Sequence, residues 1–193
     1  MPPKNPKAPS KPHARESNSS RKLNLLYRIS QVVGSDLGLS DVLNVIVTTA
    51  AELMLCKIVA ILLYDEASGT LNVAVVRSTQ GTPPDLASVP ADKTISGKAV
   101  RTGQPQLLTD LSIMAPGIRG FAQQQGVKSM LTMPMMIGGR AIGVINSYSA
   151  RSTGFDNEDM KLLSLVASQA AIAVENARMS SLKAAYRQLR SKV

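Results

Sequence analysis

Cysteine, histidine and aromatic residues are the scarce commodities of this 193-residue chain, and each shortage removes a class of function. With Cys56 as the only cysteine, no intrachain disulfide can form, and chemistry that cycles several thiols lacks its second partner. The one histidine, His13, lies in a Pro- and Lys-rich stretch. The rest of the chain therefore has no His for a Ser–His–Asp set, a phosphoacceptor, haem or zinc. Tryptophan is absent and aromatics make up 3%, so a pocket would be lined by aliphatic residues and Met. That composition also argues against a base-stacking platform. The longest uninterrupted apolar run, Ile58 to Tyr64, is far short of a membrane span, and the N-terminus has no apolar signal segment. A cytoplasmic location with no membrane span is the expectation.

Positive charge is abundant, but it is concentrated at the ends. The net charge is +9, yet residues 1–22 carry +5 and residues 178–193 another +5, leaving residues 23–177 at −1. A near-neutral body with basic ends does not resemble a nucleic-acid surface, and solvation of the ends is the simpler reading. The domain boundaries follow: a disordered basic arm over 1–22, a globular domain over 23–178, and a basic helical extension over 179–193.

Periodicity sets the element order. Residues 23–33 read as a helix with two apolar sides, one with Leu23, Leu26 and Val33, the other with Leu25, Ile29 and Val32. A second amphipathic helix runs to Leu55, with Ser40 as its expected cap. Strands follow at 57–65 and 71–78, then a Pro-rich loop over 79–94. Ser96 is expected to cap a short helix that runs through Arg101 and stops at Gly103. A strand over 104–109 and a mixed loop over 110–126, with one or two helical turns, come next.

A hairpin then turns at Gly138-Gly139, where both positions can take positive φ. Pro134 lacks a ladder donor, so it marks a bulge or an unpaired edge. From Asp156 a helix runs to about Arg190, on the order of 50 Å long. The fold class is α+β: an antiparallel sheet with the terminal helices on one face and a short helix plus loops on the other.

Four features of the C-terminal half go together. They are a Ser–x–Leu–x–x–Pro strand (Ser129, Leu131, Pro134), the glycine hairpin, Ile142-Gly143-Val144, and Phe155 just before an acidic helix start. With the ending QAAIAVENA and the upstream ISGKAVRTGQPQLLTD, the chain closely resembles GAF domains over roughly residues 23–180. The resemblance implies a six-stranded domain enclosing a small-molecule pocket, most often part of a bacterial signalling chain that transmits through helical dimers. By that analogy the wall comprises Ser96, Thr109, Asp110, Met114, Ile118, Arg119, Phe121, Gln125, Ser129, Thr132 and Met133.

The family's cyclic-nucleotide binders share an Asn-Lys pair, then Phe, three residues and Asp-Glu. Here Asn146-Ser147, Phe155 and Asp159-Met160 lack the Lys and the Glu. Bilin attachment lacks a Cys–His pair, and no cofactor is identified. Matches to a phosphate loop at Ser96-Gly97-Lys98 and to S-x-x-K at Ser180 and Lys183 lack their companion residues. No enzyme activity is expected.

On the last helix, Ile172, Met179, Leu182, Tyr186 and Leu189 advance by threes and fours apart from a skipped step at Glu175. Together with Leu25, Ile29 and Val32 they form the expected seam of a parallel homodimer closing a four-helix bundle. Only 14 residues follow Met179, so action through a partner protein is expected. Two readings stay open: a sensory or regulatory module that binds a small molecule or a partner protein, and a structural dimerisation scaffold whose pocket is filled by its own Met side chains.

Overall fold

The computed structural model describes residues 18–35, 37–83, 88–114, 116–151 and 153–190, and the side chains of 18, 19, 21, 25, 116 and 117 lie outside that description. Helices α1 (Asn18–Val33) and α2 (Leu39–Met54) come first, then strands β1 (Ile58–Asp65), β2 (Thr70–Ser78) and β3 (Val89–Pro90). Helix α3 (Ile95–Thr102), strand β4 (Gln106–Leu108), a 3-10 turn at Leu111–Ile113 and helix α4 (Pro116–Gln124) follow. Strands β5 (Ser129–Ile137) and β6 (Arg140–Ser149) and helix α5 (Asn157–Arg190) complete the chain. The strands form one six-stranded sheet in the order β3-β2-β1-β6-β5-β4, antiparallel throughout.

Both faces of the sheet are covered, so β1, β5 and β6 are buried along most of their length rather than at alternate residues. Val59, Ile61, Leu131, Met133, Met135 and Ile145 pack under α1, α2 and α5 in one core. Residues of the opposite parity, Ile58, Ala60, Leu62, Met130, Val144 and Tyr148, pack beneath α3 and α4 in two smaller clusters. These two layers are the ones expected from the sequence. On α5 the buried apolar residues are Leu163, Val166, Ala167, Ala170, Ala171, Ala173 and Val174, the side that packs on the terminal-helix core.

Gly138 and Gly139 turn the β5–β6 hairpin at φ 56° and 82°, a conformation that L-residues with a Cβ disfavour. A Cβ on Gly143 would sit 2.4 Å from the Leu62 carbonyl oxygen, so the β1–β6 pairing requires glycine there. Pro134 lies past the end of β4, whose ladder on β5 reaches only Thr132, and the bulge falls one residue later at Met135/Met136.

Several expectations are corrected. Helix α1 starts at Asn18, inside the span assigned to the arm, and Lys22 pairs with Glu158 of α5, a long-range contact invisible to local composition. Residues 1–17 lie outside the described residues. The α2 N-cap is Gly38, with no side-chain cap, rather than Ser40. Thr94 caps α3 by accepting from the Gly97 N–H at 3.0 Å, so Ser96 is inside the helix. The loop over 79–94 contains the edge strand β3, and the stretch over 110–126 contains a nine-residue helix. Ile29 is fully buried in the chain's own core and has no surface to offer a partner, while Val32 packs half-buried against that core. Leu25's side chain lies outside the described residues. Among the described residues no helix is long and apolar enough to cross a membrane.

Candidate functional site

The face beneath α3 and α4 is built on the even-numbered residues of β6. Val144, Asn146 and Tyr148 share that face, and in the β5–β6 register Thr132 stands opposite Asn146 and Met130 opposite Tyr148. At its centre three buried polar side chains satisfy one another. Thr132 Oγ1 donates to Asn146 Oδ1 at 2.8 Å, and Asn146 Nδ2 donates to Ser96 Oγ at 3.0 Å. This patch separates the apolar cluster under α3 (Ala60, Leu62, Leu71, Ala99, Val144) from the one under α4 (Ile58, Leu108, Met130, Tyr148).

Helix α3 lies hard against the chain before it. A Cβ on Gly97 would come within 1.6 Å of the Ala91 carbonyl oxygen, and Arg101 donates to that same oxygen at 2.6 Å. The tight approach drives Ser96 down onto Asn146. Burial raises the Tyr148 phenol to about 12, with the neighbouring Asn146 amide opposing the rise.

Met114, at the end of the 3-10 turn, and Ile118 and Ala122 on α4 are buried, and Phe121 packs partly buried against them. Arg119 Nη2 donates to the Met114 carbonyl at 2.7 Å. Its Nε, like Gln125 Oε1, is buried without a partner among the described residues. Gln125 and Phe121 both approach Gly81, on the chain leaving β2. Asp110 caps the 3-10 turn by accepting from Ser112 N–H at 2.9 Å. Ser112's hydroxyl and backbone, and more weakly Arg119, hold the Asp110 carboxyl below the usual range.

Of the eleven residues expected in the wall, the structure gathers Ser96, Met114, Ile118, Arg119, Phe121, Gln125 and Thr132 on this face. Thr109 and Asp110 are exposed at its rim. Two expectations are overturned. Met133 packs in the terminal-helix core, one residue out of phase with Thr132. Ser129 shares the parity of Met133, and its Oγ lies beside Gly154 in the chain leading to α5. Residues that the sequence reading missed are Asn146, as the hub, and Tyr148. Their signal is the period-2 spacing from Val144 along β6.

Depressions bordered by described residues lie away from this face. One of about 230 Å³ is lined by Lys22, Glu52 and Leu55 with Arg151 and Asp159, and Arg151 pairs with Asp159 there. An open apolar one of about 410 Å³ lies between Met133, Met160 and Leu165.

A six-stranded antiparallel sheet, clad by three helices on one side and roofed by two shorter ones over a partly polar face, defines a two-sided α+β domain. The GAF domain family model matches residues 36–175, and the chain belongs to that family. Among solved structures, it is similar to the GAF domain of a phosphoenolpyruvate-protein phosphotransferase from Coxiella burnetii. That match has 18% identity and TM-score 0.72, and covers 86% of this chain and 99% of that one. The corresponding Acinetobacter domain matches at 19% identity and TM-score 0.68, over 83% and 96% of the two chains. A free methionine-R-sulfoxide reductase from Neisseria meningitidis, solved with its substrate, matches at 20% identity and TM-score 0.69, over 86% and 95%. No curated protein sequence matches. At these identities the solved structures bear on the fold, and the family is in general a sensory and regulatory one that binds small molecules.

Proposed function

We propose that this chain is a non-catalytic, cytoplasmic sensory or regulatory module that takes a small molecule beneath α4. On this reading it pairs as a homodimer through its helical layer. The observation that carries the ligand half is a pair of buried groups without a partner among the described residues, Arg119 Nε on α4 as donor and Gln125 Oε1 just after it as acceptor. Buried polar groups are nearly always satisfied, so two orphans beside the apolar Phe121 and Ile118 fit a ligand with a matching acceptor and donor. The dimer half is supported by apolar side chains left exposed on the helices, Leu23 and Tyr27 on α1 with Leu165 and Ile172 on α5.

Catalysis of the reductase kind finds no support in this chain's thiol. Cys56 is buried in the terminal-helix core, on the other side of the sheet, and burial raises it to about 12. A thiol held protonated and enclosed is a poor nucleophile. Native mass spectrometry of freshly purified protein tests both halves at once. A dimer mass with a retained adduct, lost in Arg119→Met/Gln125→Leu, is the expected result. A bare monomer, together with flat thermal shifts against nucleotides, amino acids and oxo-acids, would sink the reading.

A further inference from the structure

From Arg178 to Arg190 every residue of α5 is exposed, so the helix stands clear of the body for its last turns. Met179, Leu182, Tyr186 and Leu189 continue a seam that starts with Leu165 and Ile172, at the 3–4 spacing of a coiled coil. Leu182 and Leu189 are 65% and 68% exposed. The positions that flank this seam hold Arg178, Lys183, Ala185 and Arg190, and no acidic residue follows Glu175.

These flanks decide the occupant. In a parallel pair of identical helices, a flank residue meets the one five positions later on the other copy. Arg178 of each copy would then face Lys183 of the other. In an antiparallel pair like flanks meet, which sets Lys183 and Arg190 of one copy against those of the other. Glu175 adds to the conflict, because it occupies a seam position and in a parallel pair would face its own counterpart. Both self-pairings oppose like charges, while a helix with acidic flanks would meet opposite ones. Arg178 also borders a depression with Asp65 and Glu66, but Lys183 and Arg190 stand beyond the body.

A membrane surface fits less well. The apolar stripe is only two residues in seven, and Ser180, Ser181, Arg187 and Gln188 fill much of the remaining surface, whereas interfacial helices present a broad apolar face.

We infer that the protruding end of α5 docks an amphipathic helix of a different polypeptide, one whose seam is flanked by Asp and Glu. This goes beyond the proposed function, and it assigns Met179, Leu182, Tyr186 and Leu189 to that partner rather than to a second copy.

The test uses the full chain, free of added small molecule, and two fluorescent peptides of repeated heptads with Leu seams. One peptide has Glu and the other Lys at every flanking position. The acidic peptide should bind about tenfold more tightly at low salt, with the margin shrinking as salt rises. Arg178→Glu/Lys183→Glu/Arg190→Glu should reverse the preference while leaving the circular dichroism of the exposed helix unchanged. Equal binding of both peptides, or of neither, overturns the proposal. So does co-sedimentation with phosphatidylglycerol vesicles in place of peptide binding, or a dimer that Leu182→Glu dissolves and Ile172→Glu does not. None of these arms involves the α4 face, so their failure leaves the small-molecule reading to stand or fall on its adduct.

Discussion

Replacing Asn146 with Ala tests whether the polar centre of the roofed face is structural. The amide accepts from Thr132 at 2.8 Å and donates to Ser96 at 3.0 Å, and the three residues are 3%, 0% and 5% exposed. Water therefore cannot easily replace what is lost. Each hydroxyl left buried without a partner costs about 1–3 kcal/mol, so Asn146→Ala, which orphans two, should destabilise the fold by roughly 2–6 kcal/mol even before any cavity cost. Thr132→Val keeps the volume and leaves Asn146 with Ser96, so by itself it should cost about 1 kcal/mol. In the double variant the Thr132 orphan no longer exists. The double should then cost at least ~1 kcal/mol less than the sum of the singles. Urea unfolding of the four proteins measures this cycle. Additivity within a few tenths of a kcal/mol would show that Thr132 and Asn146 do not depend on each other, and the account of this face would be wrong.

Gly97→Ala should cost several kcal/mol, because its Cβ would need the space of the Ala91 carbonyl oxygen 1.6 Å away and backbone would have to move. An unchanged thermal midpoint would mean that α3 does not sit so close. Alkaline stability follows from the two buried acids, Cys56 raised from 9.0 to about 12 and Tyr148 from 10.0 to about 12. The folded state holds these protons longer than the unfolded chain does. Their contribution, on the order of a few kcal/mol, is therefore complete below pH 9 and lost as pH rises towards 12. The urea midpoint should fall across that window, less steeply above pH 10 in Tyr148→Phe, and a flat profile would contradict the burial of both groups.

Where a single local signal decides an element, the sequence is enough. The Gly138-Gly139 turn, the threes and fours of α2, and the long α5 are legible because glycine conformation and helical period each depend on a few adjacent residues. Elements set by distant contacts are not. Helix α4 opens on Pro116 and carries Gly117 and Gly120, poor helix formers, and it is held by Ile118 and Ala122, with Met114 before it, packing on β1, β5 and β6. Strand β3 is two residues long and includes Pro90, so it has neither length nor alternation to announce it. Between Thr94 and Ser96 as caps the side chains offer no choice, since both can accept from a helix N–H. The extended backbone of Thr94, φ −123° and ψ 155°, settles it.

The segments that roof this face were legible in the sequence, but the side of β5 that they cover was not, for one reason. Strand β5 is buried on both faces, so SMLTM shows no polar alternation to say which residues point towards α3 and α4. Nominating Ser129, Thr132 and Met133 together requires side chains of both parities to share one face, which a strand without a bulge between them cannot provide. The irregularity of β5 lies later, at Met135/Met136, so the parity of Thr132 holds back to Met130. Pairing Thr132 with Asn146 then carries the same face across to Val144 and Tyr148. On the proposed reading, the floor facing a ligand beneath α4 would be Met130, Thr132, Asn146 and Tyr148. Substitutions at Ser129 or Met133 can reach it only through the sheet.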